Sequence, residues 1–439
     1  MSAKHIGRFA ACLLSLGLIQ GPIRAQPRPA PEASAADLAL MRHVMAAPRF
    51  KAAMAAMEQE HEGWVENIIA LTQVPSPPFG EAKRAALYAE KFRALGLSDV
   101  EIDEEGNVLG LRRGTGQPGG KLVIVSAHLD SVFPEGTDTT VRREGDRLYA
   151  PGVGDDATGL ATQLSLIGAM NAAGIETPSD ILFVGTVGEE GLGDLRGMRH
   201  LFTGGRYKGR ASAFFSIDGT SSNDFTTGGV GSKRYKLTFH GPGGHSFGAF
   251  GLVNPMSAMA QSVVGLYNIP VPASPRTTYS ASVVSGGTSV NAIPRDIVLQ
   301  VDMRSESAGE LVKLEGAFLA AVDAAVAFEN GARSTAEGAI SVEKALVGDR
   351  PAGMTPDDAA IVGYANAAYR ARGLTPRLSS GSTDSNVPMS LGIPAITIPR
   401  AAAGGRGHSV EEWIGIEKAP SISIKTLDLA IILASAGVR

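Results

Sequence analysis

Histidine and carboxylate residues stand in five short islands of this 439-residue chain, four of them close after apolar, strand-like runs. His128-Leu129-Asp130 follows Lys-Leu-Val-Ile-Val-Ser-Ala, and Glu189-Glu190 follows Ile-Leu-Phe-Val-Gly-Thr-Val. Asp218 comes after Ala-Ser-Ala-Phe-Phe-Ser-Ile, His408 lies in the loop after Ala-Ile-Thr-Ile-Pro, and Asp155-Asp156 sits in a glycine-rich turn. Open α/β sheets place their active sites at the carboxyl ends of strands. Two histidines and several carboxylates gathered there are the ligand types for a pair of divalent metals, zinc foremost. The chemistry so implied is hydrolysis.

Each island has its own local logic. His128 and Asp130 are two apart at a strand end, so their side chains leave on the same side. That suits an imidazole on a metal and a carboxylate that fixes its orientation and basicity. In Gly152-Val-Gly-Asp155-Asp156-Ala-Thr-Gly159 the glycines permit a tight turn, and a helix begins at the acidic pair. An aspartate there caps the helix, or one carboxylate lies between two cations. Glu189 and Glu190 are neighbours on extended chain and point opposite ways. One can bind metal while the other faces substrate and takes the proton of an attacking water.

The elements that must position these residues alternate. Residues 36–71 read as helix, a proline-rich turn spans 75–80, and a second helix follows from Glu81. Strands and helices then take turns, and the runs at 122–126, 181–187 and 213–217 are apolar without alternation, as in strands covered on both faces. Near residue 226 the pattern changes to strand, helix, strand, strand, helix, strand, which is a ferredoxin-like βαββαβ unit. The α/β pattern returns after it. The expected architecture is an α/β/α sandwich over 36–225 and 349–439, with an α+β domain of residues 226–348 inserted.

Composition narrows the classes. The apolar fraction of 44% and charged fraction of 19% are those of a globular protein with room for two cores. A net charge of −4 gives no electrostatic reason to expect nucleic acid. Beyond the first 25 residues no run approaches the ~18 consecutive apolar residues of a membrane span. Within those 25, Lys4, His5 and Arg8 precede a short apolar stretch and Ala25, the pattern of a secretory signal peptide. A periplasmic or secreted location is therefore expected. The single cysteine, Cys12, lies in that segment, so the mature chain holds metal by histidine and carboxylate alone.

With these motifs in order, the chain resembles the zinc exopeptidase and deacylase family of peptidase T, carboxypeptidase G, aminoacylase and succinyl-diaminopimelate desuccinylase. The resemblance covers nearly the whole mature chain, including the inserted domain, which in that family is a lid. It implies two zinc ions, with cobalt or manganese as alternatives. His128 and Asp218 would hold one, Glu190 and His408 the other, and Asp155 would bridge them. Glu189 would be the general base and Asp130 the partner that orients His128. Gly-Pro-Gly-Gly-His245 resembles the lid histidine that supports the oxyanion, often from the partner subunit of a dimer. Asn291 in Gly-Gly-Thr-Ser-Val-Asn-Ala-Ile-Pro and Arg304 in Asp-Met-Arg resemble the substrate anchors, and Gly-Ser-Thr-Asp-Ser-Asn (381–386) resembles a pocket segment. Two departures concern the subfamily: Ala157 replaces the Lys or Asn of many relatives, and Ser-Phe-Gly-Ala after His245 lacks their proline. The implied reaction is cleavage of an amide bond in a small peptide or an N-acyl amino acid.

Overall fold

The computed structural model describes residues 27–117, 119–220 and 222–439; the expected leader, with Cys12, lies outside them. Among the described residues no helix is long and apolar enough to cross a membrane.

Four parallel strands, 395–399, 211–219, 122–128 and 180–186, form the centre of a ten-stranded mixed sheet. Antiparallel strands 108–112 and 98–102 extend one side. Strands 224–229 and 377–381 extend the other, joined by short pieces at 28–29 and 353–354. Every residue of 122–128 is buried. Val123, Val125 and Ala127 join the large core that includes helices 157–172 and 418–435, while Leu122 and Ile124 join the core under helix 196–203. Side chains two apart share a face, so an unbroken apolar run is what a strand between two helical layers requires. The sandwich read from the sequence is present.

Two local readings are corrected. The helix expected over 36–71 is three helices, Ala35–Ala46, Pro48–Gln59 and His61–Thr72. Pro48 has no N–H to give a preceding turn, so it stands at the start of the second helix. Strands 224–229 and 377–381 were absent from the reading, because Thr-Thr-Gly-Gly and Ser-Ser-Gly carry no apolar signal.

The inserted lid is a second, four-stranded antiparallel sheet in the order 341–350, 231–240, 296–305, 277–286. Helices 255–267 and 308–332 cover one of its faces through a separate core that includes Leu237, Phe239, Leu299, Val301, Leu314 and Phe318. A small sheet of 404–405, 413–415, 147–149 and 142–144 ties the His408 loop to the strand that enters the Asp155 turn.

Candidate metal centre

The carboxyl ends of the parallel strands supply the site. Strand 122–128 ends at His128, strand 180–186 leads within three residues to Glu189, and Asp218 lies one residue from the end of strand 211–219. Asp155 enters from the turn before helix 157–172, and His408 from the loop after strand 395–399, with its backbone in the left-handed region (φ 64°). The structure thus brings together His128, Asp130, Asp155, Glu189, Glu190, Asp218 and His408.

Asp155 is the centre of the geometry. Its Oδ1 is 3.0 Å from His128 Nε2, and its Oδ2 is 3.3 Å from His408 Nε2. His408 Nε2 is also 3.1 Å from Glu190 Oε1. Three groups of donor atoms each lie within 4.8 Å: His128, Asp155 and Asp218; Asp155, Glu190 and His408; His128, Glu189 and Glu190. The first two share Asp155. All donors are imidazole nitrogen or carboxylate oxygen, the set that zinc accepts and that cobalt and manganese tolerate.

Neighbouring groups fix these donors. Asp130 is fully buried, and its two oxygens accept hydrogen bonds from the backbone N–H groups of Glu189 (3.0 Å) and Glu190 (2.7 Å). Its backbone O is 3.0 Å from His128 Nδ1 and its Oδ1 3.5 Å, so one residue holds both the imidazole and the glutamate pair. Asp156 caps helix 157–172 by accepting from Gly159 N–H, and its other oxygen accepts from His128 N–H. The cap reading holds for Asp156, while Asp155 is the aspartate left facing the two histidines. Arg84, buried, donates to Leu129 O and braces the strand end from behind.

Three charged residues went unnoticed in the sequence. Arg350 Nη1 donates to Glu189 Oε1 at 3.0 Å, and both side chains are buried. Arg400 is 3.1 Å from Asp155 Oδ1 and 3.8 Å from Asp218 Oδ1. Glu412 accepts from the N–H groups of Gly152, Gly154 and Asp155. Arg400 directly follows an apolar strand, the same signal that marked the candidate ligands. Arg350 and Glu412 had no such marker.

Excess negative charge in a buried space displaces the pKa values. Burial and the charge of Asp155 push Asp218 up to about 7. Burial holds Glu189 well above its ordinary value despite Arg350. Burial opposes ionisation of Asp155, yet Arg400, His128 and His408 keep it well below the carboxylate range. Hydrogen bonds to Asp155 and Glu190 push His408 up to about 10. Carboxylates crowded this closely call for cations, and the donor set fits a divalent pair.

The lid residues stand apart. His245 pairs with Ala292 in a two-stranded ladder, and Ser246 N–H donates to Asn291 O, so His245 and Asn291 are neighbours. No hydrogen bond or ion pair joins either to the seven clustered residues among those described. The Nδ1 of His245 accepts from the N–H groups of Phe247 and Gly248, which places the ring proton of the neutral imidazole on Nε2. Arg304 pairs in register with Ser232, and Ser232 with Arg350. Arg304 therefore lies two strand spacings, about 10 Å, from the arginine that holds Glu189. It lines a cavity of about 190 Å³ with Arg276, Thr278, Glu306 and Ser380.

A parallel sheet with paired acidic and imidazole ligands at its strand ends defines a metallohydrolase. Residues 124–431 match the model of peptidase family M20/M25/M40, and the chain belongs to that family. It is similar to carboxypeptidase G2 of Pseudomonas sp. (strain RS-16), 27% identical over 203 residues, which are 45% of this chain and 47% of that protein. The match thus spans about half the length of that relative. The fold is shared with aminopeptidase PepT from Bacillus cereus ATCC 10987, at a TM-score of 0.68 and 22% identity over 86% of this chain and 99% of the other. It is also shared with a hydantoinase/carbamoylase family amidase from Burkholderia vietnamiensis, at 0.62 and 16% over 86% and 97%.

Proposed function

We propose that the protein is a dizinc amidohydrolase that releases a residue from small peptides. The observation that carries this reading is Asp155, whose two oxygens face two separate histidine-containing ligand groups. In this reading His128, Asp155 and Asp218 would hold one zinc, and Asp155, Glu190 and His408 the other. Zinc, when bound, supplies Lewis acidity, polarising the scissile carbonyl and lowering the pKa of water.

The chain's own residues do the rest. Glu189 takes a proton from the water whose oxygen attacks the carbonyl carbon, and returns it to the amine nitrogen as the C–N bond breaks. Arg350 holds the Glu189 carboxylate in place from behind. Asp130 fixes His128 and both glutamate amides. Asn291 and Arg304 anchor the polar end of the substrate. Ser232 Oγ and Arg350 Nε, on the same strand row as Arg304, are buried without a hydrogen-bond partner among the described residues.

His245 donates its Nε2 proton to the oxyanion. Exposed Phe247, Phe250 and Val290 beside it are apolar surface that a second copy of the chain would cover, bringing the imidazole across to its partner's site. His245→Ala should lower turnover by roughly 100-fold or more, as for loss of one oxyanion donor, without change in metal content. Mixing His245→Ala chains with Glu189→Gln chains should restore activity if the imidazole crosses between subunits. Wild-type kinetics in His245→Ala would remove it from the mechanism.

The likeness to an amidase favours a second reading, N-acyl-amino-acid deacylation. A panel of dipeptides, tripeptides and N-acyl amino acids, followed by amine release, separates the two. Turnover confined to acylated amino acids would overturn the peptidase reading. With the leader expected at 1–25, the enzyme would act in the periplasm or outside the cell.

A further inference from the structure

Between the Asp155 turn and the His408 loop lies one buried carboxylate that serves both. Glu412 is 3% exposed and stands four residues beyond His408, just before strand 413–415. Its Oε1 accepts from Gly154 N–H at 3.0 Å and Asp155 N–H at 2.9 Å; its Oε2 accepts from Gly152 N–H at 2.9 Å. Three convergent amides from one turn are thus held by one side chain from another loop. The backbone repeats the connection, because Ala150 N–H donates to Glu412 O and strand 413–415 pairs with 147–149. Arg400 completes the frame, donating to Gly154 O at 2.6 Å while facing Asp155 Oδ1.

Gly154 records how close this approach is. A Cβ there would lie 2.6 Å from Glu412 Oε1 and 3.1 Å from Ile414 Cγ2. The turn can therefore carry no side chain at that position while the carboxylate is in place.

We propose that Glu412 is a positioning residue that sets Asp155 and His408 as one unit, so that both ligand groups are formed before metal arrives. This rests on the reading of Asp155 and His408 as metal ligands. Glu412 is buried with both oxygens on backbone amides, and it acts through the amides it holds. Ligands presented on a preformed frame bind metal more tightly than ligands on free loops, and loss of such supporting partners typically costs about 10- to 100-fold in metal affinity.

The test uses metal-stripped full-length protein and zinc alone. Amide exchange is measured at 152–155, and zinc affinity by calorimetric titration. Glu412→Ala should speed exchange locally at Gly152, Gly154 and Asp155, and weaken zinc binding by about 10- to 100-fold. Glu412→Gln keeps an oxygen for Gly154 and Asp155 but turns an NH₂ toward the Gly152 N–H, so it should fall between wild type and Glu412→Ala. Gly154→Ala should weaken zinc binding in the wild-type background and do so less beside Glu412→Ala, because the clash partner is gone; that non-additivity marks direct coupling. Unchanged exchange and zinc affinity in Glu412→Ala would overturn the proposal, as would exchange that rises evenly over the whole chain. Should Glu412→Ala not fold, Glu412→Gln and Gly154→Ala carry the same two readouts. If wild type itself takes up no zinc, the dinuclear reading fails, while local exchange at 152–155 still decides whether Glu412 braces the turn.

Discussion

Glu189→Gln should keep both metals and bind substrate, yet lose roughly the 100- to 10,000-fold in rate that a missing general base costs. The geometry separates Glu189 from its neighbour. Its Oε1 accepts from Arg350, whereas Glu190 Oε1 faces His408. A glutamine retains the amide oxygen for Arg350, which also donates to Ser382 Oγ, so the buried guanidinium keeps partners. Alanine would be a poorer test, because removing one side of a buried ion pair costs about 3–5 kcal/mol and confounds catalysis with folding. Glu190→Gln should fail differently, losing metal affinity first and activity as a consequence. Metal analysis and steady-state kinetics on both variants decide it. If Glu189→Gln sheds metal while Glu190→Gln keeps it, the two roles are reversed.

Asp155→Asn should cost the enzyme both metals, whereas His408→Ala should spare the group formed by His128, Asp155 and Asp218. The difference follows from sharing. Asp155 belongs to two ligand groups, and each of its oxygens lies near a different histidine. An amide offers one oxygen and no charge, and it leaves Arg400, now 3.1 Å from Oδ1, without its nearest counter-charge. Metal content after dialysis against dilute zinc reads the outcome. Equal loss in the two variants would mean that Asp155 serves one ion only, and the assignment of a bridge would be wrong.

The candidate site residues were legible because of where parallel sheets put polar groups. A strand buried on both faces must be apolar along its length, so His128, Glu189 and Asp218 stand out where the runs stop. The insertion was legible too, since alternation in 234–240 replaces the unbroken apolar runs before it. The two site residues that the sequence hid, Arg350 and Glu412, share a cause: contacts between residues far apart in the chain. Arg350 closes strand 341–350, and only the fold sets it against Glu189. Glu412 carries no mark of its own in the sequence, and only in the fold do three amides from the Asp155 turn converge on it. Strands 224–229 and 377–381 were hidden for another reason, because glycine, serine and threonine at a sheet's margin carry no hydrophobic pattern. Pro48 is a visible break in the first helical run, since its missing N–H cannot continue the preceding helix.

The central claim is a two-metal site held by histidine and carboxylate alone. Its most direct test counts zinc per chain and activity together, in protein stripped by a chelator and then titrated with the metal. The account predicts no activity in the stripped protein, full activity on reconstitution, and about two ions bound per chain, the stoichiometry of co-catalytic metal pairs. Full activity in rigorously metal-free protein, or saturation at a single ion, would contradict it.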